Sequence, residues 1–459
     1  MERVDVAVVG GGPGGSSAAR TAAAAGADAV VFEKGVPRED REGPGPDSTD
    51  AAGMLDYWLD VMDEAYEAFP DEVVLRELEG AEFRGPSESV RLTDTGLDAS
   101  YDGFGFCYDR ARFDDWLRER AEGAGAEYRV GTGVSDVTST PADDGYRHRL
   151  DLADGSAVEA EALVLADGPG RALTLDALDQ FLPDGTSSAE QLSPPSANHI
   201  AYQEYREFPA DAFDPDDIVF WWGWMPGETA YPWVFPNDGT VARVGLTMPI
   251  GMDLDDVEDP GSYRLLREDD ERIPGGAEYV RRLLEELYGD EYDIEADFPR
   301  VEDRGKSKGT ETYPISSTRP VDSPVGADVA VVGGAMGATS AFHEGGTHVA
   351  VRTGKLAGRL AAEGDLASYN DAWKAAIGDE VRRNVAMADV VADYQPDDWD
   401  SAFRVTREMQ EASDGGWTLN RSTASSATGG LRLYAAYRRA KFRYRGGRYV
   451  QLDESAYEY

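Results

Sequence analysis

The stretch from Val4 to Glu33 constrains what this chain can fold into more than any other. An apolar, β-branched run (Val4, Val6, Val8, Val9) meets a glycine cluster, continues as an alanine-rich helical pattern and returns to a second apolar run, Ala29 to Phe32. This is a βαβ unit. Within it Gly10, Gly12 and Gly15 spell GxGxxG: the first glycine permits a tight turn, the second lets backbone N–H groups approach a pyrophosphate, and the third lets helix and strand pack closely. The helix N-terminus then turns unpaired N–H groups and the positive end of its dipole toward the phosphates. Glu33 stands about 20 residues past the glycines, where the motif needs an acid for a ribose hydroxyl pair. An acid there, rather than an arginine, selects FAD or NAD over NADP. A merely structural glycine turn is the plainer alternative, but strand, glycines, helix, strand and acid all fall in order.

At 459 residues the chain is long enough for two or three domains with substantial cores. It shows no run of 18 apolar residues and enters a strand at once, so the expectation is neither a transmembrane helix nor a signal peptide. Cys107 is the single cysteine, which excludes an intramolecular disulfide and a cysteine-built metal cluster, and no metal site is expected. The net charge is −44, with lysine only at 34, 306, 308, 355, 374 and 441. Such a shell repels itself in dilute buffer, whereas at molar salt the Debye length falls to about 3 Å. A soluble protein of a very salty cytoplasm follows, with nucleic acid excluded as a partner. A disordered acidic chain does not fit, because 41% of residues are hydrophobic and the periodic segments are clear.

Residues 35–52 read as a loop, and Gly53 to Ala68 as a helix with Met54, Leu55, Trp58, Leu59, Met62, Ala65 and Tyr66 on its apolar face. Val73 to Phe106 suggests an antiparallel excursion. A helix follows with Phe113, Trp116, Leu117 and Ala121 inward and a stop at Gly123 and Gly125. Tyr146 to Val158 looks like a β-meander through Ala153-Asp154-Gly155, leading into ALVLADGPGR, a buried strand ending at Asp167 and Gly168. Residues 172–198 look loop-like. Residues 199–250 carry Phe220, Trp221, Trp222, Trp224, Tyr231, Trp233 and Phe235 at strand spacing, a β-rich module, and a helix spans Ala277 to Tyr288. DVAVVG at 328–333 repeats the texture of the opening strand, so it rejoins the first sheet and makes the nucleotide domain discontinuous. The expected division is 1–190 and 326–365 for the nucleotide domain, 191–325 for the inserted β-rich module and 366–459 for a mainly helical C-terminal region. No internal repeat is evident.

With the first βαβ unit, RARFDDWL, LVLADG and VAVVGGAMGATSAFHEGGTHVA in this order, the chain resembles the FAD-dependent geranylgeranyl reductase family over roughly residues 1–365. That family belongs to the p-hydroxybenzoate-hydroxylase-like flavoproteins. The resemblance implies an α/β fold: a discontinuous, three-layer, Rossmann-like FAD-binding domain with a parallel sheet, an inserted antiparallel β substrate domain and a C-terminal helical region. It implies that Asp167 and Gly168 line the cofactor channel and that Arg110 sits by the dinucleotide. The third motif aligns without gaps over residues 333–347 and brings Gly337, Gly345 and Gly346 to the cofactor. On physical grounds, a helix starting at Glu344, Gly345 and Gly346 offers N–H groups to the flavin N1 and O2 edge, and its dipole favours the anionic reduced flavin. A glycine-rich packing turn is the alternative.

Prenyl reductases resemble one another in a Y-x-W-x-F-P signature followed by a glycine pair, here Tyr231, Trp233, Phe235, Pro236 and Gly245. Alternation puts the three aromatics on one face of a strand, where they wall an apolar tunnel or, on the plainer reading, fill a sandwich core. Three departures stand out: Gly334 where the family has the aspartate that holds the ribityl chain, Thr247 where the second glycine is expected, and no cysteine in the loop 35–52. The leading expectation is an enzyme that uses FAD to reduce double bonds in the prenyl chains of a lipid or quinone, with reductant from NAD(P)H or a ferredoxin. Tyr231 and His343 are candidate proton donors by position, and a structural role suits His343 better. The alternatives are a flavin monooxygenase or halogenase, since Trp222-Gly223-Trp224-Met225-Pro226 is similar to the halogenase W-x-W-x-I-P but one residue short, and a non-catalytic paralogue that binds flavin weakly or not at all. Finally, 431–445 reverses the local charge: Leu433, Tyr437, Ala440 and Tyr444 form a stripe flanked by Arg and Lys, which reads as a peripheral membrane contact or as a helix packed on the protein itself. The oligomeric state is not indicated.

Overall fold

The computed structural model describes residues 1–36, 51–143, 145–415 and 433–459, so the loop expected over 35–52 lies largely outside them. Strand Glu2–Val9 is the centre of the first sheet. From Val6 onward it is buried on both faces, as a parallel strand covered by other layers requires. It pairs in parallel with Ala29–Phe32 on one side and Ala157–Leu165 on the other, and Glu127–Arg129 lies beyond Ala29–Phe32. Ala157–Leu165 changes neighbour partway along: residues 157–160 pair antiparallel with Gly145–Leu152, while Leu163 to Leu165 pair in parallel with Val329–Val331. The late strand therefore does return to the opening sheet. The hairpin partner Val134–Ala142 completes the antiparallel edge.

A second, largely antiparallel sheet runs in the order Thr310–Ile315, His199–Glu207, Val241–Pro249, Tyr231–Pro236, Asp217–Trp221, Gly80–Arg84, Ser89–Leu92. Its last two strands come from the early excursion, and Gly80–Arg84 joins Asp217–Trp221 in parallel. The division expected at residue 190 is therefore not where the sheets divide: the free edge of Asp217–Trp221 takes up a strand from far upstream, and Ala81 and Val90 are buried by it. A third sheet has three strands in the order Gly53–Leu55, Gly105–Tyr108, Val74–Leu78.

Other local expectations change too. The segment 53–68 is a short strand, a helix Asp56–Met62 ended by left-handed Asp63, and a 3₁₀ turn at Tyr66–Ala68, although Met54, Trp58, Leu59 and Met62 are buried as expected. Residues 172–198 hold a helix, Ala172–Asp179, whose capping acceptor is not its own first residue but Asp167 upstream. The C-terminal region is helical over Tyr369–Val391, Pro396–Gly415 and 433–443, but its end is extended, and Tyr449, Leu452 and Tyr457 enter the core of the first sheet. The stripe Leu433, Tyr437, Ala440, Tyr444 faces the protein: Ala440 is buried and the Tyr444 hydroxyl bonds Asp389. The aromatic residues left outside are Tyr434 and Phe442.

Candidate functional site

Strands Glu2–Val9, Ala29–Phe32 and Ala157–Leu165 end in register, Val9 beside Phe32 and Leu165. Beyond these ends opens a cavity of about 1260 Å³ that runs from the GxGxxG turn to the second sheet. At the first end, Gly10 has φ +100, and a Cβ on it would stand 2.3 Å from the Ala166 carbonyl oxygen. A Cβ on Gly15 would stand 1.9 Å from the Gly10 oxygen, so this glycine is required by packing rather than by the cavity, which it does not line. Gly12 is different. It faces the cavity in an ordinary extended conformation with nothing within 4 Å of a built Cβ. It also starts helix Pro13–Ala24 without a side-chain cap, which leaves the first N–H groups for an anion. Glu33 accepts from the N–H groups of Gly11 and Gly35, both at 2.6 Å, and so shapes the turn while lining the cavity.

Arg110 lines the same end, its Nε 2.9 Å from Asp114 at the start of helix Arg110–Gly123. Asp167 and Gly168 also line it, but the Asp167 carboxylate is committed to the helix that follows: it accepts from Leu173 N, Thr174 N and the Thr174 hydroxyl. Burial raises its pKa, with the Thr174 hydrogen bonds pulling the other way. Gly345 and Gly346 line the cavity at the uncapped start of helix Thr347–Ala362. Gly337 does not. It is the left-handed end of the short helix Gly333–Met336, where a Cβ would overlap the Arg171 guanidinium. Gly334 does line the cavity, and a Cβ there would stand 3.3 Å from Pro169, close but not overlapping.

The other end is aromatic. Tyr231, Trp233 and Phe235 line the cavity from one face of their strand, and Phe220 and Trp222 do so from the next, while Trp221 and Trp224 pack on the opposite side, in the core with helix Gly276–Tyr288. Pro236 is buried outside the lining. Trp233 lies across from Gly245, where a Cβ would be 2.7 Å from the indole, which accounts for the glycine. The Tyr231 hydroxyl donates to the His343 carbonyl oxygen at 2.9 Å, and Trp222 stacks on Tyr231 at 4.3 Å. His343 also lines the cavity, its Nδ1 taking the Gly345 N–H at 3.2 Å; burial, and then His348, lower its pKa to about 4, so the ring is neutral.

Three parts of the wall were not singled out from the sequence. Trp399 and Phe403, four apart on helix Pro396–Gly415, close the aromatic end, and only their spacing hinted at a buried face. Arg171, at the end of ALVLADGPGR, is buried in the wall with Nε unpartnered among the described residues, and burial lowers its pKa to about 10. Glu344, also in the wall, adopts φ +57, and its carboxyl lies 3.4 Å from His199 Nδ1.

An FAD fits these observations. The two uncapped helix starts, Gly12 and Glu33 suit a dinucleotide, and the 1260 Å³ volume leaves room for an apolar partner beside it. Comparison with known proteins agrees. A family of FAD binding domains matches residues 5–72. The digeranylgeranylglycerophospholipid reductase 1 of Methanosphaera stadtmanae is 26% identical over 306 residues, covering 63% of this chain and 67% of the relative. A geranylgeranyl bacteriochlorophyll reductase-like structure from Thermoplasma acidophilum superposes with a TM-score of 0.66 at 21% identity, over 97% of this chain and 99% of the other. The myxobacterial chondrochloren halogenase superposes with a TM-score of 0.53 at 18% identity, over 95% and 91%. At such identities the structural likenesses establish the fold, and the domain match gives the cofactor as FAD.

Two outcomes follow. Gly12→Val has room to fold, but its side chain enters the cavity, so the variant is expected to be folded by circular dichroism and colourless by visible absorbance, whereas Gly15→Ala loses stability; full flavin occupancy in Gly12→Val would contradict the assignment. Gly334→Asp restores a carboxylate beside the cavity, at a position where Pro169 must give by a few tenths of an ångström to admit a Cβ, and is expected to tighten FAD by about 1.5–3 kcal/mol, the range for a hydrogen bond to a charged group. Titration of apoprotein with FAD measures it, and unchanged affinity would show that another group already serves.

Proposed function

We propose, from the premise that the chain is an FAD-dependent oxidoreductase similar to the geranylgeranyl reductases, that it saturates isolated double bonds in the prenyl chain of a membrane lipid or isoprenoid quinone. The observation that carries this reading is the continuity of one cavity from the glycine turn to the aromatic wall of Tyr231, Trp233, Phe235, Phe220 and Trp222. Bound and reduced, FAD supplies a hydride equivalent. Gly12 and the start of helix Pro13–Ala24 would hold its phosphates, Glu33 its ribose, and the start of helix Thr347–Ala362 the N1 and O2 edge of its flavin ring. The aromatic wall fixes an extended apolar chain and excludes water, which an unactivated alkene needs because it is a poor acceptor that reacts only when held close. Among the polar groups near that wall are the Tyr231 hydroxyl and the neutral His343 ring. In a test with chemically reduced holoenzyme and a prenylated lipid, mass spectrometry should find products heavier by two hydrogens per bond, with Trp233→Ala slowed. The competing reading is a monooxygenase or halogenase, which the shared fold hosts; oxygen-dependent consumption of reductant without saturation of the lipid would favour it.

The same reading places the protein at the inner face of a membrane in a salt-rich cytoplasm. Among the described residues no helix is long and apolar enough to cross a bilayer, so contact is peripheral. The segment 433–445 offers Tyr434 and Phe442 to solvent, 56% and 59% exposed, with Arg438 and Arg445 lying over their rings. At molar salt the attraction of the basic residues for lipid phosphates is screened beyond about 3 Å, so the two aromatics carry the docking. Wild type should float with anionic vesicles at molar salt and the double variant Tyr434→Ser, Phe442→Ser should not; equal behaviour of the two would rule out this face.

A further inference from the structure

The register of the second sheet shows how far its apolar face extends along the cavity. Trp233 stands beside Phe220, and Phe220 beside Phe83, on three neighbouring strands, and all three line the cavity. At about 4.8 Å from strand to strand, this row forms a trough that runs across the strands toward the sheet edge at Ser89–Leu92. Helix Pro396–Gly415 lies against that edge strand and sends two rings into the lining. They are Trp399, 4.5 Å from the ring of Trp222, and Phe403, 6.5 Å from that of Phe83.

Polar anchors fix the two rings from both sides along the helix. Asp400, between them in the chain and itself buried, accepts from the N–H groups of Ser87 and Glu88 at 2.9 and 3.0 Å and from the Ser87 hydroxyl. Arg407, one turn past Phe403, donates to the Ser89 carbonyl oxygen at 3.1 Å and to the Glu88 carboxylate at 2.6 Å. Just before the helix, Gln395 accepts from the Tyr263 hydroxyl at 3.1 Å. Two glycines permit the close approach: a Cβ on Gly85 would stand 2.3 Å from Asp400 Oδ1, and Gly223, at φ +74, would place one 3.0 Å from the Trp399 ring. Rings held in this way, inside a close-packed aromatic cluster, have little freedom to move aside for a ligand.

We propose that Trp399 and Phe403 are the end stop of the cavity: they set how far an apolar chain enters and hence which of its double bonds reaches the flavin, the latter resting on the double-bond reductase reading above. The direction of entry follows from solvation. The polar head of a lipid or quinone would lose its water in the trough without finding partners there, whereas the tail gains from burial against Trp233 and Phe220. The chain therefore enters tail first, and its tail meets Trp399 and Phe403. Double bonds recur at a regular interval along a prenyl chain. With the tail against the stop, the bond held where Gly345 and Gly346 line the cavity is fixed by counting from the tail, whatever the total length. A smaller stop lets the chain slide deeper and brings a bond nearer the head to the same place.

The stop is tested first without any reaction. Holoenzyme is titrated calorimetrically with a homologous series of n-alkyl maltosides below their micelle concentrations, so that the sugar stays outside and only the chain length varies. For wild type, affinity should rise about fourfold with each added methylene until the tail meets the rings, and then level off. In Trp399→Ala and in Phe403→Ala, two variants so that one is free to fail in folding, the levelling should come several methylenes later, because space opened in an apolar lining stays dry and accepts an apolar guest. An affinity that never levels in wild type, or that levels at the same length in the variants, overturns the stop. Position gives the second readout. Chemically reduced wild type, given two prenyl lipids of different chain length for a short time, should first saturate the bond at the same distance from the tail in both, as read by tandem mass spectrometry of the products. Trp399→Ala should begin at a bond nearer the head; the same first bond in variant and wild type overturns the stop as what selects the bond. If wild type reduces no prenyl lipid while the levelling still moves in Trp399→Ala, the substrate reading fails and the stop stands.

Discussion

The structure depends on one contact: helices Pro13–Ala24 and Thr347–Ala362 touch backbone to backbone. A Cβ on Gly354 would stand 2.0 Å from the Gly14 carbonyl oxygen, and one on Gly358 would stand 1.9 Å from that of Ala18. Two helices that approach this closely must do so through glycine, and the Thr21 hydroxyl adds a bond to the Lys355 carbonyl at 3.1 Å. Farther along, the buried Glu64 gathers Arg20, Arg120 and Lys355, charges from three different helices. Burial alone would raise the Glu64 pKa, but these cations hold it below the usual carboxylate range. Because the helices are clamped together, their uncapped starts at Gly12 and Gly346 both open on the same cavity. Two positive dipole ends thus face one space, an arrangement that favours negative charge more than either helix would alone.

The turn between Ser340 and Gly346 joins the glycine-turn half of the cavity to the apolar half. It presents His343, Gly345 and Gly346 to the cavity, and it is held to the second sheet by the Tyr231 hydroxyl and by the Glu344 contact with His199. The second sheet in turn splits its aromatics by strand alternation. Phe220 and Trp222 face the cavity while Trp221 faces the helix beneath. Polar and apolar ends are thus built by different sheets and meet at a short segment that belongs to neither.

What the sequence determined by itself is whatever depends on neighbouring residues along the chain. The βαβ unit, the roles of Gly10 and Gly15, the inward face of Phe113, Trp116, Leu117 and Ala121, and the single-faced aromatics of Tyr231 to Phe235 all follow from backbone sterics and from the periods of strand and helix. Tertiary structure decided what depends on which distant group arrives. Asp167 caps the next helix because that helix begins where its carboxylate points, and Gly337 is turned onto Arg171 instead of the cavity. Gly80–Arg84 joins the second sheet because Asp217–Trp221 leaves an edge open, and the stripe on 433–443 turns inward because Asp389 waits for Tyr444. Glu344 and His199 meet although nothing near either announces the other. Local periodicity says which face of an element is apolar; only the packing of sheets and helices says what that face, or a lone charge beside it, will touch.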